Sequence, residues 1–185
     1  QSVNRYVEEW TRLSERIGFW ADMEQPYVTW QNEYPAGDEQ IAPGCTIKRF
    51  PVAEPRDPER FNRQSEAIAS QAGQQSDADE ARWMALQGPA SPALTAYIRD
   101  HARHYDAFFF YTYSYATTAD NICLVGDRAI LVPLAHEEWI INFRLFDRVF
   151  AAARGFIFQT PEERALLRER FRQLPLAGPI SATGI

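Results

Sequence analysis

Lysine is almost absent from this 185-residue chain: Lys48 stands alone, and arginine supplies the rest of its 19 basic residues. The 25 acidic residues leave a formal net charge of -6. Without a basic cluster the chain lacks the concentrated positive charge that phosphate contacts need, so nucleic acid is not an expected partner. Cysteine is scarce as well. Cys45 and Cys123 lie far apart and form no CxxC, which argues against a zinc site or a thioredoxin-type pair and leaves reduced, buried thiols as the expectation over a disulfide between them. No apolar run approaches the roughly 20 residues that cross a bilayer, and no secretory leader pattern opens the chain. The expectation is a cytoplasmic protein with no membrane span. GxGxxG, P-loop, HExxH and GxSxG motifs are all missing, so no cofactor and no metal are expected.

What is present reads as a globular α/β chain. Apolar residues make up 45% and charged residues 24%, and the length suits one domain with a sizeable core. Val3, Tyr6, Trp10, Leu13 and Ile17 recur at spacings of three and four, one face of an amphipathic helix. Tyr27 to Trp30 is strand-like, and the Pro, Gly and Asp of Pro35 to Pro43 predict a loop. Thr46 to Val52 alternates weakly, as a strand does. Three helix starts follow: Asp57-Pro58, Ser76-Asp77 and Ser91-Pro92, each a capping residue at the head of a helical segment. In the third helix Leu94, Ile98 and Tyr105 are expected to face inward.

The most informative region is 107–173. Ala107 to Tyr113, Ala129 to Leu134 and Gly155 to Gln159 are strand-length apolar runs without polar alternation, the pattern of strands buried on both faces of a parallel sheet. Between the second and third runs, Trp139, Ile140, Phe143, Phe146, Val149 and Phe150 recur at helical spacing. Thr160-Pro161-Glu162-Glu163 predicts the last helix, with Thr160 as cap and Glu163 completing a capping box. The fold class expected is α/β: an incomplete Rossmann-like parallel sheet flanked by helices, preceded by the N-terminal amphipathic helix.

Ligands of open parallel sheets bind at the carboxyl ends of the strands. Two such ends are polar here: Tyr113 to Thr118, and His136-Glu137-Glu138. An imidazole at His136 could bond a sugar hydroxyl or a developing charge, or merely satisfy a loop carbonyl. Glu137 and Glu138 could ligate hydroxyls or simply complement a helix dipole. Tyr111, Tyr113 and Tyr115 alternate and are expected to share one sheet face. His101 and His104, three apart, have no third ligand nearby and read as solvated or capping side chains. Arg49, Arg56 and Arg60 could hold an anion or form a solvated face.

Taken in order, YDAFFFYTYSYATT, RAILVPLAHEEW and RGFIFQTPEERALLRERF resemble the N-terminal domain of two-domain, retaining, nucleotide-sugar glycosyltransferases of the family 4, or group 1, type. YVTWQNEYPAG and IKRFPVAEPRDPERFN are similar to the same group, so the resemblance covers residues 27–185. It implies an acceptor-side domain facing a cleft, with His136 in a catalytic role and Glu137, Glu138, Tyr113, Thr117 and Thr118 binding substrate. Its implied partners are a sugar acceptor and a nucleotide sugar. The chain has Glu137 where the family has Asp, and Ala116 where a Pro precedes the family's Thr. No donor-side pattern follows Ile185, so transfer activity is not expected from the chain alone.

The stretch YVEEWTRLSERIGFWADMEQPYVTW instead resembles part of the catalytic domain of isoleucyl-tRNA synthetase, without that family's HIGH and KMSKS motifs. The two likenesses meet at Tyr27-Val28-Thr29. They imply a chimera, natural or engineered: a synthetase-like helical segment over 1–26 and a glycosyltransferase-like unit over 27–185. An alternative expectation is a folded domain with no catalytic role that self-associates, as a homodimer, through its N-terminal helix.

Overall fold

The computed structural model describes residues 37–70 and 73–181. The expected N-terminal helix, its apolar stripe, the Tyr27–Trp30 strand and the synthetase-like segment lie outside the described residues.

Strand β1 (Gly37–Ala42) and strand β2 (Cys45–Arg49) pair antiparallel, with Asp38 opposite Lys48 and Gln40 opposite Thr46. The segment expected as a loop is therefore one arm of a hairpin. Pro43 and Gly44 form the turn, where Gly44 takes φ 76°, a conformation glycine adopts without steric cost. Cross-strand ion pairs, Lys48 to Asp38 and Arg49 to Glu39, join the arms in place of apolar alternation. Ile41 and Ile47 are exposed. Cys45 and Cys123 are free thiols, exposed rather than buried as expected.

Three capped helices follow. Helix α1 (Pro58–Ala69) begins where the Asp57 carboxylate accepts from the Arg60 amide at 3.0 Å. Helix α2 (Asp77–Gln87) opens on a full capping box between Ser76 and Asp79. Helix α3 (Pro92–His101) starts at Ser91, whose hydroxyl accepts from the Leu94 amide and donates to the Pro51 carbonyl. Trp83 of α2 packs against Phe61 of α1 with ring centroids 5.4 Å apart, and its indole N–H donates to the Ser65 hydroxyl. Ile98 is buried as expected, but Tyr105 lies past the helix end, exposed and bonded to the Tyr97 hydroxyl.

The sheet consists of β3 (Phe108–Tyr111), β4 (Ala129–Val132) and β5 (Gly155–Phe156), all parallel and in that order. A short helix, α4 (Ala116–Ala119), and two 3-10 turns connect β3 to β4. The connection from β4 to β5 runs through a 3-10 turn at Trp139–Asn142 and α5 (Leu145–Ala152). The last helix is α6 (Pro161–Arg170). Residues 177–181 then return along the far side of β5, where the Phe156 amide donates to Ala177 and the Phe158 amide to Pro179. A Cβ at Gly178 would sit 1.8 Å from the Phe156 carbonyl oxygen, so this close approach requires glycine there.

The core joins the sheet to all six helices. Leu131, Phe146, Val149, Phe150, Phe158, Leu167 and Phe171 are essentially inaccessible, and Phe150 stacks on Phe171 at 4.2 Å. The expectation of two-sided burial holds for β4 and fails for β3. Among the described residues β3 is an edge strand, pairing only with β4, and it exposes Phe109 and Tyr111 while burying Phe110. No helix among the described residues is long and apolar enough to cross a membrane.

Candidate functional site

Beyond β3 and β4 the two chains stay side by side. The Thr112 amide donates to the Val132 carbonyl at 2.9 Å and the Tyr113 amide to the Pro133 carbonyl at 3.2 Å. Immediately past each strand stands a non-glycine residue with positive φ, Thr112 at 67° and Leu134 at 53°. Such conformations cost free energy, and β-branched threonine resists them most. Two of them at adjacent strand ends break the extended backbone and redirect the side chains that follow.

Past Thr112, Tyr113 lies inward. It does not share a face with Tyr111 and Tyr115, contrary to their alternation in sequence: Tyr113 is fully buried and the other two are exposed. The strand ends at Tyr111, so period-two alternation does not extend to residue 113. The Tyr113 ring packs against Phe146 and Phe150 of α5, at 4.7 and 5.6 Å. Its hydroxyl donates to Glu138 Oε1 at 2.6 Å. Burial first, and the Glu138 carboxylate second, hold the Tyr113 phenol far above its ordinary value, so it stays a neutral donor.

Past Leu134, His136 and Glu138 come to the same place. Glu138 is half-buried, and its Oε2 lies 3.8 Å from His136 Nε2. That separation is too long for a hydrogen bond and leaves one carboxylate oxygen and one imidazole nitrogen facing each other. His136 itself is largely exposed. Tyr113, His136 and Glu138 thus form one cluster, as their positions at neighbouring strand ends suggest. Glu137 points to solvent, outside it. The Thr118 hydroxyl donates back to the Tyr111 carbonyl, and Thr117 offers its carbonyl to the Asn121 side chain. Both threonines line the flank of β3 beside Phe109 and Leu94 rather than joining the Tyr113 cluster.

A residue that sequence reasoning placed differently holds the loop in position. Glu163 is buried, and its carboxylate accepts from the Ala135 amide at 2.7 Å and the Gln159 amide at 2.6 Å. Thr160 caps α6 by accepting from the Glu163 amide, as expected. The Glu163 side chain, expected to close the capping box, is committed instead to the Ala135 and Gln159 amides, and local spacing carries no signal of so distant a donor as Ala135. Glu80 acts comparably: it is buried in α2 and accepts from the Leu145 amide at the start of α5. Arg170 closes the other side, donating to the Ile141 and Phe143 carbonyls and pairing with Asp147.

The remaining candidates separate. His101 stacks on Tyr97 and bonds its carbonyl, and His104 receives the Arg103 side chain. No group of three His, Cys, Asp or Glu suited to a metal occurs among the described residues. Arg56 donates to Gln87, covers the Phe61 ring and lines one cavity with Arg60, while Arg49 belongs to the hairpin, so the three arginines do not converge.

Comparison with known proteins gives a local likeness. A 33-residue segment is 58% identical to isoleucine–tRNA ligase of Clostridium kluyveri, covering 18% of this chain and 3% of that protein. The corresponding figures are 48% over 33 residues for the enzyme of Dehalococcoides mccartyi and 41% over 34 residues for that of Porphyromonas gingivalis, with the same coverage. The chain therefore spans about 3% of the length of these curated relatives. No family model matches, and no solved structure matches.

Proposed function

We propose that the cluster at the ends of β3 and β4 is a hydroxyl-binding site for a sugar or polyol, the acceptor side of a retaining nucleotide-sugar glycosyltransferase. The observation that carries this reading is the convergence of Tyr113, Glu138 and His136 at the carboxyl edge of a parallel sheet, where ligands of such sheets bind. An acceptor hydroxyl between the two side chains would donate to Glu138 Oε2 and accept from His136 Nε2–H. Tyr113, occupying the other carboxylate oxygen, orients Glu138 for that contact. Thr117 and Thr118 have no part in this contact, and Glu137 remains in solvent.

One wall of a cleft does not position two substrates for reaction, and much of an enzyme's rate comes from that positioning. The described residues alone are therefore expected to bind acceptor weakly and to transfer nothing. Calorimetric titration with simple sugars, polyols and nucleotide sugars tests this, beside His136→Ala. Saturable heat from a sugar or polyol that is lost in the variant supports the site. Silence from a chain that melts cooperatively removes it.

Silence would favour a second reading, a folded chimeric domain with no catalytic role. The likeness to isoleucine–tRNA ligases, confined to a short segment, supports that alternative. It also carries the expectation of a homodimer, which light scattering across a concentration series decides.

A further inference from the structure

A cavity in the helical layer has the composition of a ligand site. It lies between α2, α4 and the start of α5 and encloses about 570 Å³, within the usual range for small-molecule pockets. The space exists because small side chains meet there: Ala81 and Ala85, one turn apart on α2, face Ala116 of α4 across it, with Met84 at its base. Its charged groups are not equivalent. Arg144 is committed to Asp77 at 2.8 Å. Both oxygens of Glu80 are occupied, by the Leu145 amide and the Gln75 side chain. Arg148 lines the cavity but makes no hydrogen bond or ion pair with any described residue. Asp120 stands in the same lining, and burial pushes its carboxyl above the ordinary value against the pull of Arg148.

We propose that this cavity binds a small amphipathic carboxylate, its apolar body resting on Ala81, Ala85, Ala116 and Met84 and its carboxylate meeting the Arg148 guanidinium. A planar guanidinium with free donors matches a carboxylate in two parallel hydrogen bonds. The alanine walls leave room for about one ring and offer it no polar partner. This site shares no residue with the Tyr113–Glu138–His136 cluster, and neither depends on the other.

Phenylacetate and its uncharged counterpart phenylacetamide, titrated into the full chain and followed by amide chemical shifts and calorimetry, test the proposal. The expected result is saturable binding of phenylacetate with shifts at Ala81, Ala85 and Ala116. Arg148→Gln, an exposed substitution, weakens phenylacetate roughly tenfold, as loss of a charge-assisted hydrogen bond does, and leaves phenylacetamide unchanged. Ala85→Leu fills the space and blocks both compounds, with a cooperative melt showing that the variant is folded. His136→Ala binds phenylacetate as the parent does. No saturable shift with phenylacetate, or equal affinity in Arg148→Gln and the parent, would overturn the proposal.

Discussion

Glu163 and Ala135 are 28 positions apart in sequence, yet one carboxylate oxygen of Glu163 accepts from the Ala135 amide at 2.7 Å. Its other oxygen accepts from the Gln159 amide, so one buried side chain fastens the loop after β4 to the entrance of α6. The cluster that includes His136 and Glu138 is held from behind by a residue that does not belong to it.

Glu163→Ala leaves two backbone amides without their acceptor. Hydrogen bonds to a charged group contribute about 1.5–3 kcal/mol each, and an unsatisfied buried donor costs about as much. A loss of roughly 3 kcal/mol in urea unfolding is expected, together with loss of any sugar or polyol binding. A variant whose midpoint matches the parent's would show that the loop is held by something else.

Tyr113→Phe separates the phenol from the ring. At neutral pH the lost bond to Glu138 is expected to cost about 1.5 kcal/mol, the lower end for a charged acceptor that is itself half-hydrated. The alkaline limb carries a sharper signature. The Tyr113 phenol is raised above its ordinary 10.0 by burial and by Glu138, so the folded chain holds this proton more tightly than the unfolded chain does. Its contribution is intact below pH 10 and declines as pH rises toward the folded value. Between pH 9 and 11 the parent should lose stability faster than Tyr113→Phe; parallel curves would refute this. Tyr105, raised mainly by its bond to Tyr97, contributes equally to both proteins.

Asp120→Asn tests the cavity between α2, α4 and α5. Burial raises the Asp120 carboxyl above 3.8, with Arg148 opposing. The folded state thus favours the protonated form, and stability from this group is complete below the ordinary value and falls as pH rises through the folded one. The amide variant is expected to exceed the parent at pH 7 and to equal it at pH 3. The side chain is largely exposed, so the gain is about 0.5 kcal/mol or less. A destabilised variant at pH 7 would mean that the carboxylate is held by Arg148 instead of penalised by burial.

Leu131→Ala and Phe109→Ala distinguish the central strand from the edge. Leu131 in β4 is fully buried, and truncation is expected to cost about 2–5 kcal/mol through lost contacts and a residual cavity. Phe109 in β3 is 53% exposed, and its loss should cost about 1 kcal/mol or less. Equal losses in denaturant would mean that the outer face of β3 is covered.

Local chemistry was legible where it acts locally. Asp57, Ser76, Ser91 and Thr160 could be read as helix starts because capping is a contact between residues three apart. The run Ala129 to Val132 could be read as a buried strand, and Phe143, Phe146, Val149 and Phe150 as an inward face, because burial leaves a composition and a period. The same reasoning failed at β1, where charge pairs replaced alternation, and at Tyr113, where a left-handed residue ended the period one position earlier.

The amino-acid order by itself determined the helix starts, the central strand and the placing of polar residues after two strand ends, since each depends on neighbours within a few positions. Tertiary structure alone decided that β3 is an edge among the described residues, that Tyr113 turns inward to Glu138, and that Glu163 reaches Ala135 as well as the entrance of its own helix. Those outcomes depend on which segments lie side by side once the sheet has closed. A distant donor or a missing strand partner leaves no trace in local spacing, because its energy arises only when the chain brings the two surfaces together.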